Sequence, residues 1–330
     1  MSDLPVCPPV PVSGAVAVRS ALTHAAATDS TTSSERRIAV LVNRAAGAAA
    51  GPDRAESIRA AFARQGTSVR VDEIDLGRLA LDVRKLVYDG FDTIVAAGGD
   101  GTVSAVAHHV AGTPARMGVL PTGTLNHFAR DLGLPLELDA AVGVVVRGET
   151  KAVDLGSVNG RTFVNNASLG LYVDQVRMRA KLKRRLWKWV SALVAGLAAL
   201  RRARSLRITI ETDGVRRRRR CAMVLVGNGE YGLREGVPTE RARLDAATLS
   251  LYLFTETRRL GLVLGALLVL MRKASTVRRL ESENGTAFTL HVSRRRVPIV
   301  IDGEATKMRS PLRFRSMPGA LSVLVPRRGE

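Results

Sequence analysis

The clearest chemical signal in this 330-residue chain is the pentapeptide Gly98-Gly99-Asp100-Gly101-Thr102. It closes the apolar run DTIVAA (92–97) and precedes a segment that reads as a helix from Val103 to about Ala111. A buried strand ending in two glycines can turn sharply and offer backbone N–H groups to an anion with no side chain in the way. The helix that follows adds its positive N-terminal end. Thr102 can donate to a phosphate oxygen, and Asp100 can hold Mg²⁺ or orient an attacking hydroxyl. The plainer alternative is a tight strand–helix turn capped by Asp100, but the full pentapeptide at a strand end favours phosphate binding.

A second constellation, LPTGTLNHFARDLGLP (120–135), follows the next apolar run. Gly123 and Thr124 would form another turn of backbone donors. Parallel strands place such turns at one sheet edge, where open α/β folds bind ligands. Asn126 is expected to bridge the two turns or contact the ligand, or else to cap the short helix after it. Further on, Asp302-Gly303-Glu304 reads by itself as a β-turn with solvated acids.

The elements that must hold these residues alternate. RRIAVLVN (36–43) reads as a strand ending in Asn43, 52–66 as a helix, 67–75 as a strand and 78–88 as a helix. With the two segments above, this gives parallel βαβ units and an open α/β sheet over 36–150. From 151 to 330 the pattern becomes strands without intervening helices. LRITIE (206–211) and CAMVLVGN (221–228) read as a hairpin around Asp213-Gly214. Segments 248–254, 286–292, 297–302, 311–316 and 320–325 read as further strands of an antiparallel β-sandwich. Residues 1–35, with Pro at 5, 8, 9 and 11 and a Ser/Thr-rich stretch, are expected to be a disordered tail with no secretory signal.

Charge divides the chain in the same place. Residues 36–150 carry 13 basic and 13 acidic side chains, whereas 151–330 carry 36 and 14. A neutral half beside a strongly cationic one implies different partners, the second a polyanion. The stretch VRMRAKLKRRLWKW (176–189) has seven cations, no acids and two Trp, the composition of a helix lying on an anionic membrane surface. A helix packed by its Leu stripe is the alternative. The apolar run 260–271 is too short to span a bilayer. Cys7 and Cys221 form neither a disulfide framework nor a zinc site and favour a reducing compartment. Nucleic-acid binding fits the charge, but no recognition signature appears and aromatics, at 4%, are too few for stacking.

GGDGT followed about 20 residues later by PTGTLNHFAR resembles the diacylglycerol kinase catalytic domain in its bacterial lipid-kinase form. FVNNASLG (163–170), VGNGEYG (226–232) and IDGE (301–304) extend the resemblance over about residues 36–326. It implies an α/β nucleotide-binding domain of the NAD kinase/diacylglycerol kinase type, then a β-sandwich lipid-substrate domain, with catalysis between them. It also implies an ATP-dependent kinase acting on a lipid hydroxyl. Asn43, Gly98–Thr102, Gly123, Thr124 and Asn126 would then serve ATP, Asp100 would organise Mg²⁺, and Glu304 would be the general base. Such an enzyme would be cytoplasmic and peripheral to the inner face of the membrane. Homodimerisation is left open, as is the choice among diacylglycerol, sphingoid and other lipids. A catalytically weak, membrane-binding relative is the alternative.

Three positions depart from the family pattern. Asn43-Arg44-Ala45-Ala46-Gly47 lacks the usual Pro after Asn, and His127 replaces an Asp. Leu244-Asp245-Ala246-Ala247 stands where some members hold a structural Mg²⁺ with an Asp-Gly element, leaving Asp245 as the candidate ligand.

Overall fold

The computed structural model describes residues 36–43, 54–170, 205–234, 237–241, 243–255 and 280–327. The N-terminal tail, Arg44–Gly47, the basic stretch 176–189 and the apolar run 260–271 lie outside the described residues.

The first half alternates as β1 (Ile38–Asn43), α1 (Arg54–Arg64), β2 (Arg70–Ile74), α2 (Leu79–Tyr88), β3 (Thr93–Gly98), α3 (Asp100–Val110), β4 (Arg116–Pro121), α4 (His127–Asp131) and α5 (Leu138–Arg147). The four strands pair in parallel in the order β2-β1-β3-β4. Every residue of β1 and β3 is buried, because helices cover both faces, and such strands read as unbroken apolar runs. One face packs Ile58 and Phe62 of α1 and Val142 of α5 against Val40, Val95 and Leu120. The other packs Val83, Val106 and Phe128 against Leu41, Ala96 and Val119.

The second half contains β5 (Glu149–Val158), β6 (Arg161–Phe163), β7 (Asn166–Gly170), β8 (Leu206–Thr212), β9 (Val215–Cys221), β10 (Met223–Asn228), β11 (Tyr231–Arg234) and β12 (Val237–Arg241). It continues with β13 (Leu249–Phe254), β14 (Leu280–Gly285), β15 (Ala287–Val292), β16 (Arg296–Ile301), β17 (Glu304–Arg309) and β18 (Leu312–Val325). The order β14-β13-β10-β7-β16-β17 forms one antiparallel sheet. The other sheet extends the parallel one, since β18 lies beside β4 and β15, β8 and β9 follow. Between the two sheets Leu169, Val226, Leu251 and Ile299 meet Ile208, Phe288, Leu290 and Phe314, which makes this half a β-sandwich. Cys221 is buried here, and burial pushes its thiol up to about 12, so it is an inert core group.

Three local readings are corrected. Segments 311–316 and 320–325 are one strand, β18, whose pairing with β5 slips between Met317 and Leu321. Helix α3 begins at Asp100 rather than Val103, and its cap is Gly99, with no side-chain bond. The hairpin partner of 206–212 is not 221–228 but β9, the strand VRRRRRC.

β9 was hidden because an arginine run carries no apolar alternation. Its alternation is one of partners. Arg217 and Arg219 turn inward, Arg217 to Glu283 and Arg219 to Glu281 at 2.9 Å, so β9 is tied to β14 across the open edge of the sandwich. Arg216, Arg218 and Arg220 face out beside Glu211, Thr209 and Arg207 of β8. The register carries this face on to Arg313 and Arg315 of β18. Among the described residues, six exposed arginines thus share one sheet face with one carboxylate, Glu211, which accepts from Arg216 at 2.9 Å and contacts His291 at 3.2 Å. No helix among the described residues is long and apolar enough to cross a membrane.

Candidate active site

The first glycine turn is built inward from Thr102. Its side chain lies over Gly98, where an added Cβ would meet the Thr102 Cβ at 2.5 Å. Asn43 Nδ2, at the end of β1, donates to Thr102 Oγ1 at 3.1 Å, and both residues are buried. Thr102 therefore ties strand to helix instead of facing outward. Thr102 N and Val103 N close on Gly99 O at 2.9 and 3.0 Å. Helix geometry leaves the N–H groups of Asp100 and Gly101 without intrahelical acceptors. The Asp100 carboxylate stands at this positive helix end, partly exposed.

The second turn is pressed against the first. Thr122 N donates to Gly98 O at 3.2 Å, and a Cβ on Gly123 would lie 2.3 Å from Gly99 Cα. From its place in the sequence Asn126 is expected to bridge these turns, contact ligand or cap α4. Its amide is spent on its own loop: Oδ1 accepts from Gly123 N at 3.1 Å, and Nδ2 donates to Pro121 O and Gly123 O at 3.1 and 3.0 Å. It makes no cap bond and sits at φ 52°, a left-handed conformation that Asn tolerates better than most residues. The bridge is made by backbone, and Asn126 shapes the loop. Thr124 is exposed beside Leu125. The Thr122 hydroxyl is buried with no partner among the described residues.

The turn joining β16 to β17 meets this region from the second half. Asp302 is not the solvated acid expected from its turn. Its Oδ2 accepts from Val164 N at 2.8 Å and from the Ser104 hydroxyl of α3, and its Oδ1 accepts from Asn165 N and Asn166 N at 2.8 and 3.0 Å. Burial raises its pKa against the opposing pull of those four donors. Glu304, two residues on, is exposed, and its Oε2 accepts from Arg161 Nη2 at 2.7 Å. Glu304 Oε1 has no protein donor among the described residues. Sequence reading missed Ser104, Asp302, Thr122 and Arg161; only Asp302 carried a signal, its place in the acid-Gly-acid turn.

The two acids considered for metal differ. Asp245 is committed to Arg243 at 3.1 Å and Lys151 at 3.7 Å, and the Arg243 hydrogen bond is the main cause that holds its pKa down. Ala247 N is bound to Asp154, and no cluster of three acidic, His or Cys ligands occurs among the described residues. Asp245 does not fit a structural Mg²⁺. Asp100 has no cationic partner among the described residues, and a lone carboxylate suits Mg²⁺ carried by phosphates, which keeps most of its own waters.

An open α/β sheet with two abutting glycine turns, followed by an antiparallel sandwich that hands a carboxylate turn back to helix α3, is the NAD kinase/diacylglycerol kinase-like architecture. The profile of the diacylglycerol kinase catalytic domain matches residues 37–158, and that of the YegS C-terminal NAD kinase beta sandwich-like domain matches 168–325. Residues 37–158 thus carry a diacylglycerol kinase catalytic domain. Proteins named diacylglycerol kinase from Staphylococcus aureus strains JH9 and Newman are each 33% identical over 143 residues, 42% of this chain and 45% of theirs. The match thus spans less than half of those relatives' length. A crystal structure of a diacylglycerol kinase from Bacillus anthracis str. Sterne aligns with TM-score 0.65 at 20% identity, over 88% of this chain and 97% of that one. Another chain from the same organism gives 0.69 at 19% identity, over 90% and 98%.

Proposed function

We propose that the protein transfers the γ-phosphate of ATP to a lipid hydroxyl. The observation that carries this reading is the direct contact of the two glycine turns at the start of α3, with an acidic turn fixed to the same helix through Ser104 and Asp302. The N–H groups of Asp100 and Gly101, without intrahelical acceptors, and the exposed edge at Gly123-Thr124 would receive phosphate oxygens. The Thr122 hydroxyl, unpartnered among the described residues, would be a further donor. Asp100 would hold nucleotide-bound Mg²⁺, which supplies charge neutralisation along the phosphates. Glu304 would take the lipid hydroxyl's proton at Oε1, while Arg161 fixes the other oxygen of that carboxylate. Asp302 holds the turn in place.

Incubating the purified protein with labelled ATP, Mg²⁺ and a panel of lipid alcohols tests the reaction and identifies the acceptor. In the same assay Asp100→Asn is expected to lower transfer at least ~100-fold, the scale of a lost electrostatic stabiliser, with an unchanged melting temperature. Near-normal turnover would remove Asp100 from the site.

A lipid acceptor requires contact with a membrane, and the six-arginine sheet face suits an anionic one by charge. Replacing Arg207, Arg218, Arg313 and Arg315 with Gln removes four cations that have no carboxylate partner among the described residues. Each basic residue near an anionic surface contributes about 1 kcal/mol. Pelleting with anionic vesicles is expected to weaken steeply, and raised salt should mimic the change in the parent. Unchanged pelleting would place membrane contact elsewhere, as would equal loss on neutral vesicles.

A further inference from the structure

One buried charge belongs to neither the phosphate turns nor the acidic turn, yet it touches the supports of both. The guanidinium of Arg241, at the end of β12, has no exposed side-chain surface, and its partner Asp131 at the end of α4 has 7%. All five of its N–H donors are used. Nε and Nη2 bind Asp131 Oδ2 at 2.8 and 2.6 Å. Nη1 binds Val164 O at 2.7 Å and Asn228 O at 3.1 Å, and Nη2 also binds Asn165 Oδ1 at 3.1 Å. The rings of Phe128 and Tyr231 lie 5.9 and 5.7 Å from its centre.

Two of those partners lead to the acidic turn, because Val164 and Asn165 donate their backbone N–H groups to Asp302. Asp131 leads to the phosphate turn, because its helix α4 starts directly after Asn126. A planar fork with five directed donors fixes angles as well as distance, which an ammonium group does not. We propose that Arg241 is a positioning residue: through Asp131 on one side and 164–165 on the other, it sets the separation between the second glycine turn and the turn bearing Asp302 and Glu304. A shift of about 1 Å between reacting groups can cost 10²-fold in rate, so the separation is worth fixing. The consequence for turnover rests on the kinase reading above; the mechanical link does not.

Two measurements separate these parts. Arg241→Lys keeps the charge and loses the fork. In amide hydrogen exchange it is expected to speed exchange at Val164–Asn166 and at Gly123 together, with β1 and β3 as protected as in the parent. Loss of protection on one side alone, or on neither, overturns the link whether or not the protein proves to be a kinase. In the lipid-phosphorylation assay, well below the melting temperature, the same variant is expected to lose at least ~10-fold in kcat with KM for ATP within about twofold. The double variant Arg241→Met, Asp131→Leu replaces the pair by apolar groups, which buried ion pairs often tolerate. It is expected to regain parental melting without regaining kcat. Recovery of both would mean that the pair only stabilises the fold. A parent that phosphorylates none of the lipids would overturn the kinase reading and leave the exchange result to decide the link.

Discussion

Glu304→Gln is expected to lower phosphate transfer by about 10²–10⁴-fold, the usual cost of a lost general base, while nucleotide affinity and melting temperature stay at parental values. The side chain is exposed and bound only to Arg161 among the described residues, so the amide fits without repacking. Asp302→Asn is expected to behave differently. Three backbone N–H groups and the Ser104 hydroxyl point at its two oxygens, so an amide nitrogen there must face a donor. A lost hydrogen bond to a buried charge costs about 1.5–3 kcal/mol, so melting should fall together with turnover. The pair of variants decides which acid accepts the proton. If Asp302→Asn melts like the parent and transfers nothing, while Glu304→Gln is active, the acceptor is Asp302.

Gly123→Ala is expected to lower turnover about 10²-fold and to weaken nucleotide binding, because the new methyl would lie 2.3 Å from Gly99 Cα and 2.7 Å from Asn126 Oδ1. Gly99 Cα is backbone, and the Asn126 amide is held by three hydrogen bonds within its own loop. The turns must move apart by an ångström or so, the displacement that costs this much when it separates binding groups. Overpacking of this kind also costs about 1–3 kcal/mol, readable in a melt. Titration with a fluorescent ATP analogue beside the melt checks both. Parental affinity would mean that the contact of the two turns is not part of a nucleotide site.

The sequence was most informative where physics is local. Strands buried on both faces have no choice but apolar runs, so 38–43, 93–98 and 116–121 stood out, and a glycine turn declares itself because no other residue makes it. What escaped was long-range or matched by charge. Asp302 looks solvated until Ser104, 198 positions away, is seen to donate to it. Asp131 and Arg241 are 110 positions apart and were unremarkable singly. The arginine run of β9 has no hydrophobic period. Its order lies in Glu281 and Glu283, two residues apart on another strand and matching Arg219 and Arg217. Asn126 shows the opposite failure, since its chemistry was recognised but the φ of 52° that turns it upon its own loop is invisible in its identity.

The course of β18 has a consequence for how the chain is made. Residues 312–325 return to lie beside β4, a strand synthesised some two hundred residues earlier, and they pair with β5 along most of their length. Until residues 312–325 leave the ribosome, the parallel sheet has an unfinished margin at β4, and unpaired margins of this kind are templates for wrong partners. Closing the sheet across so much chain is slow relative to pairing neighbours. The first sheet of the nascent protein is therefore made with one margin unsealed, and that margin stays open to wrong partners until residues 312–325 pair along it.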